Sequence, residues 1–186
     1  METVRAFFAL DLSDELKRRI AEVESDVERS GADVKIVEPE NLHITMKFLG
    51  EIPASRLDEI VKAAEAVRER RFELEAKSVG VFPNRRMVRV VWVGAGMGSE
   101  GVMAISRRLD AALVGLGFPK EEKFVPHITI ARVRSPKNRE RLLEVIDRHA
   151  KKVFGYCRID RLVLKKSVLT GSGPVYSDLK VFPFGE

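Results

Sequence analysis

Two short stretches of the chain repeat one arrangement, His43-Ile44-Thr45 and His127-Ile128-Thr129. The 186 residues hold only three histidines, so two of the three stand in matched settings. An imidazole gives or takes a proton near neutral pH, and a hydroxyl two residues on can donate to a phosphate oxygen. Two such units supply one proton donor and one proton acceptor. That is what acid–base chemistry on a phosphodiester needs.

A metal is the rival use of the same histidines. Neither motif carries a carboxylate at ligand spacing, and Glu51 lies too far along its strand. No metal and no other cofactor are therefore expected. His149, beside Lys151 and Lys152, closes a predicted helix, where a partial positive charge suits the helix dipole.

Strands must carry the two motifs. Alternation puts His43 and Thr45 on one face, with Ile44 and Met46 on the other. His127 and Thr129 alternate in the same way against Ile128 and Ile130. The apolar members face a core, and the imidazoles and hydroxyls face outward. Simple alternation also gives Lys47 to the His43 face, as a phosphate contact or as a solvated lysine. Phe7, Phe8 and Phe48 read as core, with Phe48 or Phe124 stacking on a base as the lesser alternative.

The remaining elements follow from periodicity and punctuation. Residues 4–10 form a buried strand. Ser13 caps a helix through Leu16, Ile20, Val23 and Val27 that stops at Gly31. Residues 35–37 form a short strand and 43–49 the first motif strand. A second helix runs from about Ser55, with Asp58 completing a capping box, to Val67. Residues 72–81 and 88–93 form a hairpin. Gly94 to Gly98 lacks the lysine and the spacing of a phosphate-binding loop and reads as a turn. Ser99 caps a third helix, which ends at Gly117. Pro126 introduces the second motif strand, Pro136 opens the last helix, and strands 156–169 and 175–182 close the chain. In each half a motif strand precedes a helix and then two further strands, an internal duplication of architecture. Two facing halves would bring the motifs to one cleft.

Composition narrows the setting. With 45% hydrophobic residues the chain can bury one substantial core. Its net charge of +5 and pI near 9.4 favour an acidic partner such as nucleic acid. Cys157 is the single cysteine, which excludes an internal disulfide and a cysteine-based metal site. There is no signal-peptide pattern and no stretch of transmembrane length, so the expected setting is the cytoplasm, with no membrane.

The chain resembles the RNA 2′,3′-cyclic phosphodiesterases, also known as 2′-5′ RNA ligases, of the two-histidine phosphoesterase superfamily. The likeness runs through Arg5-Ala6-Phe7-Phe8-Ala9-Leu10, Asn41 to Gly50, Phe82-Pro83, Arg89 to Gly94, Pro126 to Arg132, and Gly173-Pro174-Val175-Tyr176. The resemblance implies an α+β fold over residues 1–186. It would be one bilobal unit of two pseudo-symmetric, mainly antiparallel lobes, with helices outside and one motif per lobe at a central cleft. It implies metal-independent hydrolysis of a 2′,3′-cyclic phosphate RNA end to a 2′-phosphomonoester, tRNA-derived ends among the substrates, by a monomer. It also implies a minor 2′-5′ ligase activity. His43 would donate a proton, His127 would accept one, and Thr45 and Thr129 would hold the phosphate. Arg132 resembles the family's phosphate-binding arginine. Simple alternation sets it opposite His127, so that role requires a bulge. A non-catalytic binder of RNA ends or nucleotides in the same cleft is the alternative from another class.

Overall fold

A computed structural model describes residues 2–186. Strands β1 (Thr3–Asp11), β2 (Val34–Ile36), β3 (His43–Pro53), β4 (Phe72–Pro83), β5 (Val88–Ala95), β6 (His127–Val133), β7 (Val153–Ile159), β8 (Arg161–Thr170) and β9 (Gly173–Pro183) form one antiparallel sheet. Its order is β7-β4-β5-β6-β3-β1-β8-β9, with β2 beside β6. Helices α1 (Asp14–Arg29), α2 (Leu57–Ala64), α3 (Ser99–Leu113) and α4 (Arg139–His149) supply apolar faces to the core. Leu16, Ile20, Ile60, Ile105, Leu109 and Leu142 from those helices pack with Phe8, Leu10, Ile44 and Ile130 from the strands. The architecture is the expected α+β one.

The two motif strands meet at the centre of the sheet, where Ile44 pairs with Ile128. The spatial halves differ from the halves of the sequence. The β4–β5 hairpin follows the first motif in the chain but lies beside β6, the second motif strand. The β8–β9 hairpin follows the second motif but pairs through β1 with the first motif strand. Each half of the sequence therefore contributes a hairpin to the side of the sheet that carries the other half's histidine.

Local corrections have local causes. The strand expected over 156–169 is two strands. Asp160 separates them, its carbonyl accepting from the Phe184 N–H at 2.8 Å. They lie in opposite halves of the sheet. Ser55 does not cap α2. It lies in a 3₁₀ turn over Ala54–Arg56, where Arg56 Nη2 donates to the Leu116 carbonyl at 2.7 Å, and α2 ends at Ala64. Ser99 is the first residue of α3, and Gly98 caps it at φ +86°. A Cβ there would meet the Glu73 carbonyl at 2.3 Å, so only glycine fits. The last helix starts at Arg139 instead of Pro136. Asn138 precedes it in the left-handed region, its side-chain amide donating to the Gly31 carbonyl at 2.8 Å. Ser13 does cap α1, accepting from the Leu16 N–H at 3.2 Å.

Bulges set the phase of both motif strands. Along the β1–β3 ladder Phe8 pairs with Lys47 but Ala9 pairs with Thr45, so Met46 is the extra residue. Along β5–β6 Val91 pairs with Ala131 but Trp92 pairs with Thr129, so Ile130 is the extra residue. Each bulge puts two consecutive residues into the core, Met46 with Lys47 and Ile130 with Ala131. The residues just beyond it change face, and on β3 a second bulge at Leu49 returns Ile52 to the core.

One helix residue sits uneasily in this core. Glu24 on α1 is buried, and its Oε1 has no hydrogen-bond partner. Burial, reinforced by Glu38, raises its carboxyl to about 8.

Candidate functional site

A cavity of about 810 Å³ opens over the centre of the sheet. His43, Thr45, His127, Thr129 and Arg132 all line it. The register at Ile44 and Ile128 explains the grouping. Continued by one residue each way, it sets His43 across from Thr129 and Thr45 across from His127. The two histidines are then diagonal neighbours, which stand about 7–8 Å apart and leave room for a phosphate between the rings.

The imidazoles are held alike. His43 Nδ1 lies 2.6 Å from the Asn41 carbonyl, and His127 Nδ1 lies 2.7 Å from the Val125 carbonyl. A carbonyl only accepts, so each Nδ1 carries a hydrogen and each Nε2 is the nitrogen that exchanges a proton. His43 Nε2 accepts from the Thr45 hydroxyl at 2.8 Å. Aromatic rings brace both. Phe7 and Tyr176 lie 5.1 and 5.5 Å from the His43 ring, and Phe82 meets the His127 ring edge-on at 5.0 Å. Burial pushes the His43 imidazole down to about 4, opposed by its bond to the Asn41 carbonyl. That ring is therefore neutral at pH 7.

The bulge at Ile130 turns Arg132 to the His127 face, where it lines the cleft. The bulge at Met46 has the opposite consequence for Lys47. That side chain is 6% exposed, its ammonium 2.5 Å from Asp110 and bonded to the Pro119 carbonyl. The reading of Lys47 as a phosphate contact or a solvated lysine is therefore overturned. Phe48 takes the outward position instead, half exposed in the cleft beneath the Arg5 guanidinium, which is 4.7 Å from its ring centre. Phe7 is buried as expected, yet it also forms cleft floor, and Phe124 packs against the core.

Other parts of the site carried weak sequence signals or none. Tyr176, Arg5, Lys35 and Lys165 line the cleft. Tyr176 and Arg5 lie within stretches that carry the family resemblance. Lys165, 3.0 Å from Asp11 and 2.7 Å from Asp178, was hidden in a strand mistaken for part of a longer one. Asn41 joins two elements. Its carbonyl fixes His43, and its side-chain amide donates to the Pro174 carbonyl at 3.0 Å, tying the β8–β9 hairpin to the motif. The Gly94–Gly98 loop is a turn around Glu75, which accepts from the Gly96 and Met97 N–H groups. His149 lies away from the cleft, 2.9 Å from Asp26. Among the described residues, no three His, Cys, Asp or Glu side chains gather as a metal site. No helix among them is long and apolar enough to cross a membrane.

The family model for LigT like phosphoesterases matches residues 10–92 and matches again over 94–176. The chain belongs to that family. The double match divides the LigT like chain where its internal duplication divides it. An RNA 2′,3′-cyclic phosphodiesterase of Methanothermobacter thermautotrophicus is 39% identical, over 96% of this chain and 98% of its own. One from Thermotoga maritima is 35% identical, over 95% and 93% respectively. Among solved LigT like folds, TT0787 of Thermus thermophilus superposes with a TM-score of 0.81 at 30% identity, covering 96% of this chain and 97% of that one.

Proposed function

We propose that this protein opens the 2′,3′-cyclic phosphate at an RNA end to a 2′-phosphomonoester without a metal. One observation carries this reading. Two imidazoles with Nδ1 locked to a carbonyl present Nε2 to one cleft, beside two threonine hydroxyls and an arginine. The relatives' activity supports the substrate class, and RNA from tRNA cleavage is one source of such ends.

The cyclic phosphate is an anion. Thr129 and Arg132 donate to its non-bridging oxygens, and Thr45 joins them once protonation of His43 Nε2 releases its hydroxyl hydrogen. Its charge raises the affinity of His43 for a proton, which burial alone suppresses. Neutral His127 takes a proton from a water whose oxygen attacks phosphorus. The bond from phosphorus to the 3′ oxygen breaks, and His43 protonates that oxygen as it leaves. The two rings end with protonation states exchanged, and solvent restores them. A 5′ hydroxyl taking the place of the water would attack the same phosphorus, give its proton to His127 and release the 3′ oxygen to His43, leaving a 2′-5′ phosphodiester, which is the chemistry of a minor joining activity.

The direct test incubates an oligonucleotide ending in a cyclic phosphate with the protein in excess chelator and identifies the product. A 2′-phosphomonoester is expected. An unchanged end, or turnover only after a divalent ion is restored, overturns the proposal.

A further inference from the structure

A second groove lies one residue beyond the catalytic cleft. Arg132 faces the cleft, while Val133 and Arg134, the next residues of the chain, line a groove of about 290 Å³. From Thr129 to Val133 is about 13 Å along the strand, at roughly 3.3 Å per residue. Its floor is apolar, built from Val88, Val133 and Leu142. Its walls carry Arg86, Arg89, Arg134, Lys137 and Arg139, with no carboxylate among its lining residues.

Two of these cations are committed to the fold. Arg134 bonds to Asp33 at 3.1 Å and to the Val34 carbonyl at 3.1 Å. Arg139 donates to the Arg86 carbonyl at 2.8 Å and pairs with Glu140 at 2.9 Å. The other three, Arg86, Arg89 and Lys137, are exposed, and none has a carboxylate partner among the described residues. Arg85, their neighbour, takes both oxygens of Asp147 and so removes that carboxylate from competition.

The catalytic cleft cannot explain this cluster, because the reacting phosphate must sit between His43 and His127. The rest of an RNA chain has to leave the cleft. Glu38 and Glu40 line its rim at the segment before His43, where a polyanion is repelled. The path past Arg132 and Lys35 instead leads from cation to cation. These two residues pair across β2 and β6, and the next residue, Val133, turns to the other face of the sheet to line the groove, so the RNA backbone would round the strand end there.

We infer that this groove binds the phosphate backbone of the RNA a few nucleotides upstream of the cyclic end, through Arg86, Arg89 and Lys137. The inference rests on the proposed RNA substrate. It adds a length requirement: an oligonucleotide engages both sites and a cyclic mononucleotide only the cleft.

The test compares kcat/KM for a 2′,3′-cyclic mononucleotide with that for a ten-nucleotide RNA bearing the same end. The variant combines Arg86→Gln, Arg89→Gln and Lys137→Gln, all at exposed positions. A control removes equal charge from exposed helix positions, as Arg18→Gln, Lys62→Gln and Arg107→Gln. The groove variant is expected to lose tenfold or more on the oligonucleotide and less than twofold on the mononucleotide. Its salt dependence on the oligonucleotide should fall by about 2 in slope, near 0.7 for each phosphate contact removed. The control should keep the wild-type preference. Equal rates for variant and wild type on the oligonucleotide overturn the groove, as does an equal loss in the control or on the mononucleotide. Failure of the wild type to open either substrate overturns the cyclic phosphodiesterase reading itself.

Discussion

Phe48 and Arg132 occupy corresponding places, five residues after the histidines of their motifs, each turned to the cleft by a bulge two residues earlier. One is an aromatic ring capped by Arg5, the other a guanidinium with no carboxylate partner among the described residues. The frame is symmetric and the chemistry presented at its two ends is not. In the proposed reading it is Arg132, on the β6 side, that holds the phosphate.

Arg132→Lys keeps the charge but loses the planar fork. It is expected to lower kcat/KM by about tenfold to a hundredfold, the worth of one charged hydrogen bond. Thr45→Val and Thr129→Val should each cost about 1–3 kcal/mol of transition-state binding for the same reason. Steady-state kinetics on the cyclic mononucleotide check all three. Wild-type kinetics in the lysine variant would remove Arg132 from the site.

Lys47 and Asp110 form a buried pair, so removing one partner strands the other. Lys47→Met should destabilise the fold by about 3–5 kcal/mol. Combining it with Asp110→Leu should recover much of that loss. Chemical denaturation measures both. A folded Lys47→Met with unaltered stability and a large loss of kcat would return this lysine to the site.

His43 has opposite requirements before and after substrate binds. Its imidazole, near 4 in the folded protein and near 6.5 in an unfolded chain, binds protons more weakly in the folded state. Its contribution to stability is present above about pH 6.5 and is lost as pH falls toward 4. His43→Gln should flatten that part of the stability curve. In histidine NMR titrations the His43 ring should stay neutral down to about pH 4 and gain its proton at higher pH when a nucleoside 2′-phosphate is added. An unshifted titration on adding the phosphate ends the claim that the anion recharges this ring.

Glu24 titrates in the other sense. A carboxyl held near 8 binds protons more tightly in the folded state, so stability declines as pH rises from about 4.5 through 8. Glu24→Gln should abolish that decline and leave the protein more stable than wild type at pH 9. Parallel unfolding curves for the two proteins across that range would contradict it.

The proton roles are separable with a sulfur atom. A substrate carrying sulfur in place of the 3′ oxygen has a leaving group that needs little acid help. It should restore much of the rate to His43→Ala and little to His127→Ala. Rescue of the His127 variant alone would exchange the two roles.

The sequence showed the site more clearly than the path of the chain. His43, Thr45, His127 and Thr129 follow from strict alternation across three residues, too short a span for a bulge to intervene. Arg132 and Lys47 lie beyond the bulges, and there alternation misleads. Ile130-Ala131 hints at the irregularity, since two apolar residues in succession enter one core. Met46-Lys47 gives no hint, because Asp110 lies 63 residues away and cannot be paired with Lys47 from sequence. The break at Asp160 was hidden because strand-forming residues continue on both sides of it. The helix starts near Ser55 and Ser99 were both set by distant segments, the Leu116 carbonyl that takes the Arg56 side chain and the Glu73 carbonyl that crowds Gly98.

The interlocking of the two halves has a consequence for dividing the molecule. Cut in the β5–α3 loop, the C-terminal piece would hold β6, β7, β8 and β9, and only β8 with β9 would find its partner inside that piece. The other neighbours, β2, β3 and β5 for β6, β4 for β7 and β1 for β8, would all be on the N-terminal piece. Neither fragment can close a sheet alone, yet each is a template for the other. The two should behave as a split enzyme, inert apart and reconstituted on mixing, in which neither histidine works until both polypeptides have folded around each other.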